Sequence, residues 1–137
     1  MPTETTIAHL REEIAELYSV GARGFAVLPV KIPAFGDVAI RLNPVLAELA
    51  ATLRLEGATI RLSHWGEFFD KVMEHAASYG ITNTKAACAG RAIFDQDETP
   101  KGDPKTFYFF HEGHPSTAVH QIVGEKLAQE ILEEKRS

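Results

Sequence analysis

Apolar residues Ile7, Leu10, Ile14 and Leu17 share one side of a helical wheel, with Arg11, Glu12, Glu13 and Glu16 opposite, so residues 5–19 carry the 3.6-residue period of an amphipathic surface helix. Gly21 and Gly24 end it. The run Phe25-Ala-Val-Leu-Pro-Val30 is continuously apolar, the pattern of a short parallel strand buried on both faces. Asn43-Pro44 reads as an N-cap with proline at the first helical position, opening a helix that carries Val45, Leu46, Leu49, Leu53 and Leu55 and ends at Gly57. Residues 58–62 predict a second strand, and 65–79 a helix with Phe68, Phe69, Val72 and Met73 inward, closed by Gly80. Residues 81–106 are rich in Gly, Asp, Thr and Pro with little periodicity and read as a long loop. A weaker strand signal follows at 107–110. The stripe Val119, Ile122, Val123, Leu127 and Ile131 then predicts a docked helix over 117–134.

Strands alternating with helices imply parallel βαβ units and an α/β layered domain. Two firm strands and one weak one fall short of the roughly 4 to 6 of a typical sheet. A strand as apolar as Phe25–Val30 belongs in the middle of a sheet, yet nothing before the first helix can pair with its other edge. The expectation is one incomplete domain over residues 1–137, whose bare edge pairs with a second copy or with a segment that supplies the missing strands.

Charge and composition narrow the partners. Fourteen basic against nineteen acidic residues give a net charge of -5 with no basic stripe, which disfavours nucleic acid. The apolar runs are far shorter than the roughly 20 residues needed to span a bilayer, and residues 1–6 have no signal-peptide core. Read as written the chain is cytoplasmic, and a secretion signal lying upstream would change that to secreted or periplasmic. Cys88, the single cysteine, lies in a small-residue stretch and reads as a packed small hydrophobe.

Chemistry concentrates at 107–120, where the aromatic run Phe107-Tyr-Phe-Phe110 stops at His111-Glu-Gly-His114 and Pro115 reads as the start of the last helix. That junction sets the His114 imidazole beside the helix N-cap, free to face a cleft as a general base; the bland alternative is a partly exposed loop histidine. A zinc-protease pattern needs His-Glu-x-x-His on one helix, whereas here the spacing is His-Glu-x-His ahead of Pro115, so neither a metal nor another cofactor is expected. His120, one turn into the helix, reads as a packing or capping residue. His64, with Trp65 after the second strand, reads as a helix-start contact more readily than a substrate contact. Acidic residues 95–98 and 133–134 read as solvated loop and tail.

An ordered set of landmarks resembles the C-terminal half of GDSL/SGNH-type ester hydrolases. They are Leu17-Tyr-Ser-Val-Gly-Ala-Arg-Gly-Phe-Ala-Val-Leu-Pro-Val30, the helix opened by Asn43, Tyr79-Gly-Ile-Thr-Asn83, Ala87-Cys88, and Gly113-His-Pro-Ser-Thr-Ala-Val-His120. The resemblance implies a partial flavodoxin-like, three-layer α/β fold with a short parallel sheet flanked by helices. It also implies hydrolysis of a carboxylic ester or lipid by a Ser-His mechanism, with His114 as general base and acid. The Gly-Asp-Ser-Leu nucleophile block and the glycine and Gly-x-Asn-Asp blocks of the oxyanion hole do not occur; Gly36-Asp37-Val38 lacks the serine. The family usually has aspartate three residues before the histidine, and His111 stands there instead, unable to supply a fixed negative charge. Glu112 should point to the opposite side of an extended segment and is not given that role. Ser19, Ser63, Ser78 and Ser116 lack the strand-turn setting that exposes a nucleophile. The chain alone is therefore expected to be inactive, either one part of a split esterase or a non-catalytic remnant or binding module of the same fold.

Overall fold

The computed structural model describes residues 3–31, 36–90 and 100–136, with side chains to residue 133. Among these residues it is a mixed α/β protein with four α-helices, a two-stranded parallel sheet and a three-stranded mixed sheet. The chain divides near residue 64 into two compact units.

The first unit runs from helix α1 (Thr3–Ser19) through strand β1 (Gly24–Val27) and helix α2 (Gly36–Thr52) to strand β2 (Thr59–Leu62). The period of α1 works as expected at Ile7 and Ile14, which are buried; Leu17, on the same stripe, is half exposed. Strands β1 and β2 pair in parallel, Gly24 opposite Thr59 through Val27 opposite Leu62. The core of this unit gathers Ile7, Val27, Leu46 and Ala50, with Leu10, Val45, Ile60 and Leu62 around them. A second tie comes from Tyr18, whose hydroxyl donates to the Glu56 carbonyl at 2.6 Å while the Arg23 guanidinium lies 4.0 Å over its ring.

Two expectations fail in this unit, each for a physical reason. Helix α2 begins at Gly36, well before Asn43, and Pro44 is inside it. The Asn43 side chain does not cap a helix; it bridges the Val30 backbone, accepting from its N–H at 2.8 Å and donating to its carbonyl at 3.0 Å. That two-point bond imitates a strand partner and fixes the chain just beyond β1. Strand β1 in turn is shorter than Phe25–Val30 and buried on one face: Phe25 is half-buried and Val27 buried, while Ala26 is exposed.

The second unit holds helix α3 (Trp65–Glu74), a 3₁₀ turn (Ala76–Tyr79), strand β3 (Asn83–Ala87), a 3₁₀ turn (Pro104–Thr106), strand β4 (Phe107–His111), strand β5 (His114–Pro115) and helix α4 (Thr117–Arg136). Its core is Phe69, Val72, Ala76, Ile81, Tyr108, Val119 and Val123, drawn from α3, the 3₁₀ turn and the link that follows it, β4 and α4, and Val72 and Val119 are fully buried. The stripe read from the sequence on α4 is therefore the face that packs. Gly80 closes the 3₁₀ turn in the left-handed region at φ 78°, its N–H bonded to the Ala76 and Ala77 carbonyls.

The long loop expected over 81–106 contains strand β3, parallel to β4. Its sequence, Asn-Thr-Lys-Ala-Ala, has no alternating apolar face. Asn83 explains the irregularity: its Oδ1 accepts from the N–H groups of Lys85 at 3.1 Å and Ala86 at 2.9 Å, so the strand bulges between its pairings Asn83–Phe107 and Ala87–Phe109. Cys88 follows, fully buried, its backbone N–H donating to Phe109, as the reading of a packed small hydrophobe requires. The acidic stretch 95–98 lies outside the described residues.

Candidate functional site

Strand β4 delivers the site. Its Tyr108 points into the core at 5 % exposure and donates its hydroxyl to the Phe69 carbonyl at 3.2 Å. Burial, and secondarily the Asp70 carboxylate, pushes that phenol up to about 12. After His111 the chain reverses through Glu112 and Gly113, and β5 returns antiparallel with His114 opposite His111 and Pro115 opposite Phe109. Gly113 makes the reversal possible: its φ of 77° lies where side chains are strained, although a Cβ there would meet nothing within 4 Å.

This geometry corrects the position of the last helix. Pro115 is paired in β5, and α4 starts at Thr117. The cap is Ser116, 1 % exposed, whose Oγ accepts from the Val119 N–H at 3.3 Å while its own N–H donates to the Tyr108 carbonyl at 2.7 Å. His114 is thus a hairpin residue two positions ahead of the cap. It is exposed at the carboxyl end of β4, the end of a parallel strand where α/β folds place ligands.

The neighbours of His114 can now be placed. The His111 ring is half-buried with its Nε2 inside, stacks edge-on with Phe110 at 4.7 Å, and lies 6.4 Å from the His114 ring with the planes at 88°. Glu112 is exposed at the tip of the turn, where its N–H donates to the Gly90 carbonyl at 2.7 Å. His120 sits one turn into α4, exposed, with its ring edge-on to Phe69 at 6.2 Å. His64 is exposed just before α3, at the carboxyl end of β2.

None of the four candidate serines is presented as a nucleophile. Ser116 is a buried cap, Ser63 is buried, and the hydroxyls of Ser19 and Ser78 donate to the carbonyls three residues back, Glu16 at 2.6 Å and His75 at 2.7 Å. Among the described residues no group of three or more His, Cys, Asp or Glu side chains is disposed to hold a metal ion. No helix of the described residues is long and apolar enough to cross a membrane.

The second unit also carries a groove of about 580 Å³ that the sequence does not announce. Tyr79, Lys105, Thr117, Gln121, Ile122 and Glu125 are among its walls, and His111, Glu112 and His114 are not. The hairpin, by contrast, has a sequence signal: a two-residue Glu-Gly link between extended segments is a turn pattern that competes with the helix-start reading of Pro115. No protein-family model matches this sequence, and no curated protein is significantly similar to it.

Proposed function

We propose that the chain supplies the C-terminal part of a GDSL/SGNH-type ester hydrolase, with His114 as the proton shuttle and the attacking serine on a separate segment. The observation that carries this reading is the placement of His114: an exposed imidazole on a tight hairpin at the carboxyl end of a parallel strand, immediately ahead of a capped helix. In the reaction, His114 takes the proton of the incoming serine as it attacks the ester carbonyl, then returns it to the departing alcohol. Oxyanion donors come with the serine segment, as does a strand that pairs with the open edge of β1. The imidazole of His111 stands where the family has aspartate and offers shape and packing to His114 rather than a fixed charge.

A non-catalytic binding module of the same fold is the alternative, favoured by the engagement of the Ser19, Ser78 and Ser116 hydroxyls in local bonds and the burial of Ser63. One experiment separates the two. The isolated chain should hydrolyse p-nitrophenyl acetate no faster than free imidazole. Mixing it with a segment carrying the Gly-Asp-Ser block should restore steady turnover that His114→Ala abolishes. Persistent silence of the mixture, with both parts folded, favours the binding module, and turnover by the lone chain that survives His114→Ala contradicts both.

A further inference from the structure

We propose that the groove of the second unit binds a small organic cation, a molecule with a planar apolar body and one ammonium group. Along α4, Thr117, Ala118, Gln121, Ile122 and Glu125 recur at the three- and four-residue steps of a single helical face, so one wall is a continuous strip about 12 Å long. Tyr79 and Pro104 supply apolar surface beside it. Ile122 is partly buried and packs against the core, which fixes the apolar part of the strip, and Tyr79 keeps 40 % of its surface open to a ligand. The volume of about 580 Å³ lies within the range of about 300–1,000 Å³ usual for small-molecule sites.

The polar groups around this apolar surface choose the sign of the charge. Asp103 and Glu125 set two carboxylates against the one ammonium of Lys105, on a chain whose net charge is -5. Gln121 donates an amide N–H to Glu125 at 3.4 Å, which leaves its carbonyl oxygen to accept. The face of a tyrosine ring attracts a cation and repels an anion. An ammonium group brings three donors to these acceptors, whereas a carboxylate in the same place meets like charge. Lys105 is exposed, so its long stem can keep the charged head in water. The backbone under these walls is already ordered. Asp103 accepts from the Lys105 N–H at 3.1 Å and from the Thr106 N–H at 2.9 Å, and Gly80, at φ 78°, closes the turn that carries Tyr79, so binding has little backbone left to order. No wall residue belongs to the His111–His114 hairpin, and the binding does not depend on the esterase reading.

The test is titration of the full chain with tryptamine in low-salt buffer, followed by amide chemical shifts, beside indole-3-propionate, which carries the same ring and the opposite charge. Saturable shifts are expected with tryptamine, centred on Tyr79, residues 103–106 and residues 117–125. Indole-3-propionate should bind about tenfold more weakly or not at all. Glu125→Gln and Tyr79→Ala, both at exposed side chains, should each weaken tryptamine about threefold while circular dichroism shows them folded. The absence of saturable shifts up to about 5 mM tryptamine overturns the site. So do shifts centred elsewhere, equal or tighter binding of indole-3-propionate, and tryptamine binding undiminished in both folded variants.

Discussion

Tyr108 shows how one side chain joins the core to the site. Its ring belongs to the apolar cluster and its hydroxyl fastens β4 to α3, so the strand that presents the histidine pair is held from behind. The phenol is raised to about 12 by burial first and Asp70 second. The sign follows directly: the folded state holds this proton more tightly than the unfolded chain, whose tyrosine titrates near 10. The associated stability is full below about pH 10 and drains away as pH climbs toward 12. In a spectrophotometric titration near 295 nm, one of the three tyrosines should therefore ionise late and together with unfolding. Tyr108→Phe should remove that late step and flatten the alkaline loss of stability; coincident ionisation of all three near pH 10 would refute the assignment. The residue scale was only partly legible in the sequence. The candidate histidine and its neighbour His111 could be named because the surrounding residues are distinctive, but their pairing across a hairpin could not be read, since cross-strand register depends on a turn that Pro115 disguised.

Among the elements, α2 departs most from its sequence signal. Asn-Pro is a sound helix opening in isolation, and the structure overrides it because Asn43 is worth more as a clamp on Val30 than as a cap. Pro44 is left inside the helix without the N–H that would reach the Ile40 carbonyl. Proline in a helix interior costs up to about 3 kcal/mol relative to alanine. Pro44→Ala should accordingly stabilise the protein by about 1–3 kcal/mol, read as a higher denaturation midpoint at unchanged m-value; a lower midpoint would mean that the proline bend is itself required. Strand β3 was illegible for the opposite reason: its pairing is made by backbone and by the Asn83 bulge, with no apolar alternation to betray it. By contrast α1, α3 and α4 were readable because their inward stripes, such as Val119 and Val123, are the packed faces themselves.

For the molecule as a whole, the α/β alternation and most of the core were legible, since both follow from where large apolar residues recur. The division into two compact units was not, because it depends on which distant residues meet. The open edge of β1 was foreseen and takes a specific form. Arg23 and Val27 accept from Thr59 and Ser63 across the β1–β2 pair, so by strand alternation Gly24, Ala26 and Leu28 turn their N–H and carbonyl groups the other way. Among the described residues no strand meets them. Such an edge favours strand addition. Sedimentation should reveal concentration-dependent self-association, and Ala26→Pro, which deletes one outward donor and spares the β1–β2 bonds, should shift it toward monomer; a monodisperse wild-type monomer would count against the edge as a docking strand.

Ser116 closes the sheet with its amide and opens α4 with its hydroxyl. Turn and helix are thereby riveted together, like a pointer on a twenty-residue shaft. Whatever tilts that shaft carries the imidazole with it, so the aim of His114 depends on the seating of Val119 and Val123 in the core as well as on the few residues of the turn.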